Sequence, residues 1–410
     1  MIPKIIFNRE KKDWIKRPLL SNIEKILDYR GRTPKKLGLS WSDTGFLALS
    51  ALNVKNGYID FNADANYGDQ ELYERWMGDN HLHKGQVVFT TEAPMGNVAQ
   101  IPNDDLYILS QRTIAFEVKH DLIREDFLAT LLRSPKIFNE LTSLSSGGTA
   151  KGISQKSLSN LKVCLPTSLE EQSAIGSLFR TLDDLLSSYK DNLANYQSLK
   201  ATMLSKMFTK AGQTVPEIRL DGFEGEWEIK KFKSISTKRG KSNSKGYDYP
   251  AYSVSNQSGL IPQSEQFEGS RLGNLEKTSY KIVEPNEFAY NPARINVGSI
   301  AFNDLDETVI VSSLYVIFSL DKSINNNYAL LFINSPEFNK EVRRNTEGSV
   351  REYLFYENFA NIRIPIPPTF EEQCFIGSYF SNLDNLINSH QEKISQLETF
   401  KKKLLQDMFI

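Results

Sequence analysis

The sequence predicts an α+β fold built twice, as two globules that are each followed by a long helix. Three observations carry this. The chain repeats itself at an offset of 201 residues. Each copy holds a capping signal followed by a sustained seven-residue apolar repeat. The segments between are short β-type runs punctuated by glycine, asparagine and proline.

The repeat is clearest from Leu165–Phe208 to Ile366–Phe409, where 16 of 44 positions are identical without a gap. Pro166 to Leu182 reads PTSLEEQSAIGSLFRTL, and Pro367 to Leu383 reads PPTFEEQCFIGSYFSNL. The same offset continues upstream to Phe127 and Tyr328 through Ser134-Pro135 and Ser335-Pro336, with 5 of 39 positions identical. Further upstream the likeness is gapped, pairing Trp14 with Trp227 and Arg30-Gly31 with Arg239-Gly240.

The well-kept part reads as helix. Ser168-x-x-Glu171 and Thr369-x-x-Glu372 are capping boxes just after Pro166 and Pro368, and their acidic first turns suit the helix dipole. Behind them run Ile175, Leu182, Tyr189, Tyr196 and Met203 in one copy, and Ile376, Leu383, His390, Leu397 and Leu404 in the other. Leu178, Leu185, Leu199 and Tyr379, Leu386, Phe400 are expected to complete the seam. Helices over 168–208 and 369–409 would be rods of ~60 Å, pairing with each other as a left-handed coiled coil. Gly176 and Gly377 disfavour helix, so their matched positions suggest a close backbone crossing.

The drifted parts hold β-type runs at 86–91, 107–110, 113–118, 287–290 and 308–318, with helices expected at 124–139 and 327–344. The expected domains are 1–165, a helix and linker over 166–212, 213–366, and a second helix over 367–410.

Composition bounds the rest. The 410 residues exceed one ordinary core. Forty-nine basic residues against 50 acidic ones leave a formal charge of −1, which excludes a polycationic coat but not local basic patches. Cys164 and Cys374 are the only cysteines, so no disulfide framework exists and a reducing, cytoplasmic setting is expected. The first ten residues lack the apolar stretch of a signal peptide. The most apolar run, Val309 to Leu320, is too short to span a bilayer, which needs about 20 residues.

Catalytic motifs fail one by one. Gly147-Gly-Thr-Ala-Lys-Gly152 lacks the Gly-Lys-Ser/Thr ending that contacts phosphate and Mg²⁺. Asn291-Pro292-Ala293-Arg294 lacks the aromatic that would stack a flipped adenine. His81 and His83 have no cysteine near them to complete a metal site. Asp304 and Asp306 read as solvated loop acids, and His390 as a packing residue on the seam. No catalytic, metal or cofactor residue is therefore assigned.

What recurs is a set of polar and basic loops. Arg30, Arg32, Lys35 and Lys36 follow the opening helix of the first globule, and Lys238, Arg239, Lys241 and Lys245 that of the second. Thr91-Glu92 and Asn291 through Arg294 to Asn296 each follow a β-run and precede a glycine, Gly96 or Gly298. Arg, Asn and Glu are the side chains that read G, A and C edges in the major groove, so these loops are candidate DNA contacts.

Two diverged globules, each followed by P-x-x-x-Glu-Glu-Gln-x-x-Ile-Gly, resemble the specificity subunit of type I restriction–modification systems. The resemblance spans essentially the whole chain. It implies two target-recognition domains separated by antiparallel coiled-coil helices in a pseudo-twofold duplication. Each domain would read half of a split, asymmetric site in double-stranded DNA. The subunit would be non-catalytic. It would recruit two modification subunits carrying S-adenosylmethionine, then restriction subunits using ATP and Mg²⁺. Glu171, Gln172, Ile175, Gly176 and Leu182, with Glu372, Gln373, Ile376, Gly377 and Leu383, are expected at the coiled-coil or partner interface. Residues 1–165 carry 22 basic and 19 acidic residues and 213–366 carry 18 and 20, so partners would supply much of the phosphate neutralisation. The competing reading is a coiled-coil scaffold with duplicated binding globules and no DNA role. It accounts for the duplication but not for the recurrent basic loops.

Overall fold

A computed structural model of the chain describes residues 14–146, 151–210, 212–256, 259–266, 277–345 and 353–409. Two compact units emerge. One runs from the start of the chain to Asp191 and takes in Gln391 onward; the other is Asn192–His390. Each unit therefore owns the first half of one long helix and the last half of the other.

The first unit opens with β1 (Ile15–Pro18) and β2 (Ile23–Asp28), then β3 (Phe46–Leu49), β4 (Tyr67–Gly68) and helix α1 (Gln70–Met77). Strands β5 (Val87–Thr90), β6 (Val98–Gln100), β7 (Ile108–Leu109) and β8 (Thr113–Val118) follow. Helices α2 (Glu125–Leu132), α3 (Pro135–Leu144) and α4 (Gln155–Ser159) lead to β9 (Lys162–Leu165) and the long α5 (Leu169–Lys206). The main sheet is antiparallel in the order β2-β8-β5-β6, beside a small sheet β4-β3-β7 and the pair β1-β9.

The second unit holds β10 (Glu228–Lys231), α6 (Phe232–Ile235), β11 (Ser236–Arg239), β12 (Tyr252–Ser255), β13 (Gly259–Pro262) and α7 (Gln263–Gln266). It continues through β14 (Lys281–Val283), β15 (Phe288–Tyr290), β16 (Ile300–Phe302), β17 (Val309–Val311) and β18 (Val316–Leu320). Helices α8 (Asn326–Ile333), α9 (Pro336–Asn345) and α10 (Tyr356–Phe359) precede β19 (Arg363–Ile366) and the long α11 (Phe370–Met408). Its main sheet runs β11-β18-β15-β16, and β10 pairs with β19. The duplication that had faded from the sequence is thus kept in the main sheet and the terminal strand pair, while the smaller sheets differ, β4-β3-β7 in the first unit against β12-β13 and β14-β17 in the second.

Several expectations need correction. The single helices expected at 124–139 and 327–344 are each two, because Ser134-Pro135 and Ser335-Pro336 break them. Ser134 then caps α3, its hydroxyl accepting from Ile137 N at 3.4 Å. The run at 308–318 is two strands in different sheets, turned at Ser312–Tyr315. Most of the 147–152 loop lies outside the described residues.

The seam also differs in phase. Ile175 and Leu182 are buried as expected, but their companions are Phe179 and Leu186, not Leu178 and Leu185. In α11 they are Phe380 and Ile387, not Tyr379 and Leu386. A helix turn of 3.6 residues lets a stripe grow by three or by four from each anchor, and neighbours decide which. Leu185, Leu199, Leu386 and Phe400 are left between 37% and 50% exposed.

Within each unit the helices run antiparallel. In the first, Lys401 pairs with Asp183, and Lys190 with Glu398 at 2.7 Å. In the second, Lys200 pairs with Asp384, and Tyr196 meets His390 with ring centroids 5.2 Å apart. Leu404, Met408 and Phe409 join the first core, and Met207 and Phe208 the second. Among the described residues no helix is long and apolar enough to cross a membrane.

Candidate nucleic-acid interface

The second glutamate and the glutamine of each Glu-Glu-Gln motif face inward, while Glu170 and Glu371 are exposed. Ser168 Oγ accepts from Glu171 N at 3.2 Å, and Thr369 Oγ1 from Glu372 N at 3.2 Å, so both caps form. The two glutamates then turn to tryptophans: Trp14 Nε1 donates to Glu171 Oε1 at 3.2 Å and Trp227 Nε1 to Glu372 Oε1 at 3.3 Å. Arg219 adds a bidentate pair to Glu372 at 2.8 and 2.7 Å, which raises its already high pKa. Gln172 accepts from Arg124 N at 2.9 Å and donates to Leu122 and Pro166 carbonyls; Gln373 accepts from Asn325 N and donates to Ser323 O. Gly176 and Gly377 lie against the starts of α2 and α8. Gln172, Gln373, Glu372, Ile175, Ile376, Leu182 and Leu383 are buried, Gly176 and Gly377 likewise, and Glu171 is half-buried. These residues fasten each long helix to its own globule and to the other helix; they do not form an outward partner surface.

The basic loops follow strands β2 and β11, not a helix, because only a single turn precedes each strand. Their loops share one end of the main sheet with the loop after β5. Arg30 donates to Ile153 O at 3.2 Å, Ile153 N to Thr91 O at 2.9 Å, and Gln111 Nε2 to Arg32 O at 2.5 Å.

Not every candidate there can meet a ligand. Arg30 is clamped by Asp28 at 2.9 and 2.5 Å, which raises its pKa against the opposing effect of burial. Burial pushes the Asp28 carboxyl up, but bonds and charge from Arg30, with Gln155, hold it below the usual aspartate range. Arg32 lies over the Tyr29 ring at 4.6 Å and donates to Trp76 O. Thr91 is buried with its hydroxyl on Arg112 O at 3.1 Å, so it is framework and not a reader. Asn291 closes an Asx turn onto Ala293 N at 3.0 Å. Lys36 reaches Gly31 O at 2.6 Å. Lys35, Lys241, Lys245, Arg294 and Asn296 are exposed, as is Arg239, which donates to Ser319 Oγ at 3.0 Å. Lys238 pairs with Glu357 at 2.7 Å. Behind Arg239, burial raises the pKa of Glu287.

The sequence reading missed Arg112, which pairs with Glu92 at 3.0 Å from the turn between β7 and β8. Its signal was a lone Gln111-Arg112 between two β-runs. Of the other candidates, His81 hydrogen-bonds to Tyr73 at 2.7 Å and stacks on its ring, and His83, about half exposed, meets Glu125 at 3.0 Å. His390 Nδ1 lies 2.9 Å from Leu386 O.

The family described as "Type I restriction modification DNA specificity domain" matches residues 30–195 and again 224–399. The chain is 24% identical over 324 residues to the MjaVIII type I restriction enzyme specificity subunit of Methanocaldococcus jannaschii, covering 73% of this chain and 72% of that one. It is 23% identical over 419 residues to the putative MjaX specificity subunit of the same organism, covering 96% and 92%. Among solved structures, the S subunit of a type I restriction–modification system from M. genitalium superposes with a TM-score of 0.65 at 15% identity, covering 100% and 99%. A chain from a study of complex assembly and conformational transition of a type I restriction–modification system gives 0.50 at 18%, covering 98% and 99%.

Proposed function

The chain belongs to the type I restriction modification DNA specificity family, and on that premise we propose how it works. It is the non-catalytic specificity subunit of a type I restriction–modification complex. Each unit reads one half of a bipartite, asymmetric site in double-stranded DNA. One observation carries this most directly. The two family segments fall on units that share a sheet order yet differ in the loops at the same sheet end. A duplicated scaffold with divergent loops suits two half-sites of different sequence.

The modification subunits dock on the long helices. The apolar row that the helix pair leaves uncovered supports this: Leu185 and Phe400 in the first unit, Leu199 and Leu386 in the second. A partner helix laid along such a row buries it. One modification subunit per unit, two in all, follows from the duplication. S-adenosylmethionine belongs to those subunits, and ATP and Mg²⁺ to the restriction subunits that join them. A reducing cytoplasmic setting agrees with two unpaired cysteines.

The test is to express the chain with and without its modification subunits and map methylated adenines genome-wide. A single split motif should appear only when all are present. Methylation or cleavage by the homogeneous chain alone would overturn the reading.

A further inference from the structure

We propose that Arg112 reads one base of the first half-site and that Leu314 reads the corresponding base of the second. The proposal rests on the reading above, that each unit meets half of a DNA site.

The strand registers make the two positions equivalent. Val87 pairs with Phe116 and Phe89 with Ile114 in the first unit; Phe288 pairs with Phe318 and Tyr290 with Val316 in the second. Counting back from Ile114 and Val316, Arg112 and Leu314 occupy the same place, in the turn that enters the central strand. A framework bond fixes the facing loop in the same way. Ile153 N donates to Thr91 O at 2.9 Å, and Leu354 N to Pro292 O at 2.9 Å. Glu92 therefore corresponds to Ala293. Across the duplication this one bond is kept, while Thr91 is replaced by Pro292 and the charged residues Glu92 and Arg112 by the apolar residues Ala293 and Leu314. Exposed residues that differ between the two units at matching points of the sheet end are where different sequence preferences would be carried.

Arg112 is built to present its side chain. It sits at φ +68°, a left-handed conformation uncommon outside glycine, asparagine and aspartate. Its carbonyl is held there by two bonds from buried Thr91, N at 2.8 Å and Oγ1 at 3.1 Å. Strained backbone held rigidly in this way concentrates at functional sites. The Arg112 side chain is 55% exposed, and Glu92 engages its guanidinium through Nε. An arginine held through Nε keeps its Nη fork for an acceptor pair such as O6 and N7 of guanine. Three neighbouring cations are otherwise engaged, Arg30 by Asp28, Arg32 by Trp76 O and Lys36 by Gly31 O, while Lys35 is exposed. Leu314 is 74% exposed, and an apolar side chain at that point suits the methyl group of thymine.

The experiment uses the complex of this chain with its modification subunits, read by motif mapping and by methylation rates on oligonucleotides substituted at each position. Arg112→Asn keeps a residue that tolerates the left-handed backbone. It should relax one guanine in one half-site, lowering discrimination there about ten- to a hundredfold, and leave the other half-site intact. Glu92→Gln, which leaves the backbone untouched, should weaken the same position. Leu314→Ala should relax one position of the other half-site. An unchanged motif, or an equal loss on all sequences, overturns the proposal. If the wild-type complex shows no bipartite motif at all, it is the parent reading that fails.

Discussion

The ring of Phe409 meets that of Trp14 edge-on, with centroids 5.8 Å apart. Phe127 completes the triad, 5.9 Å from each. In the second unit Phe208, Trp227 and Tyr328 form the same triad at 5.5 to 6.4 Å. The end of each long helix is thus an aromatic plug in the core of the unit that the other helix starts from.

Phe409→Ala should therefore destabilise the first unit, and Phe208→Ala the second, each by about 3–5 kcal/mol as for other buried aromatics. Denaturant unfolding with a probe in each unit, Trp14 or Trp227, reads this. Equal loss in both units from one substitution would show that the plugs are not local.

Gly176→Ala should cost stability although alanine favours helix by about 1 kcal/mol. A Cβ there would stand 2.5 Å from Asp126 Cβ and 2.9 Å from its backbone carbon, so overpacking wins by about 1–3 kcal/mol. Gly377→Ala should be milder, because the nearest atom, Asn327 Cβ, is 3.0 Å away. Thermal melts of the two variants give the order.

Glu372→Gln leaves Arg219 without its bidentate partner in a buried setting, a loss of about 3–5 kcal/mol. Glu171→Gln should cost much less, since its half-buried carboxylate accepts from the neutral Trp14 N–H and the cap bond uses its backbone N–H. Urea midpoints of both variants decide it.

Asp28 is held below its ordinary pKa, so its bond to Arg30 contributes stability above the unfolded pKa, about 3.9. That contribution is lost as pH falls through the lower folded value. Asp28→Asn should destabilise at neutral pH and converge with wild type in strong acid. A difference that persists below that range would show that packing, not charge, carries the effect.

Each long helix is anchored in both units, so shortening one helix alone should cost stability. Removing seven residues from both, around Lys190–Asn192 and Glu392–Lys393, keeps the register and shortens each by ~10 Å. With the proposed DNA role, the unread spacer should shrink by about three base pairs while both half-sites stay the same. Motif mapping of the doubly shortened variant tests this; an unchanged spacer would separate helix length from spacing.

The sequence by itself determined the duplication, both long helices with their caps, and the strands at 113–118 and 288–290, because those signals are local: spacing, capping chemistry and periodicity. It also placed the polar loops at matching points. What only the tertiary structure decided was which side of each helix is buried and which cations are spoken for. Leu185 and Leu186 are adjacent leucines in the sequence, and only tertiary packing buries the second and exposes the first. Arg30 meets Asp28, its neighbour two residues back, and is held further by Ile153 O, whereas Arg112 meets Glu92 from another turn with 55% of its side chain exposed; the contacts with Ile153 and Glu92 are made only by folding.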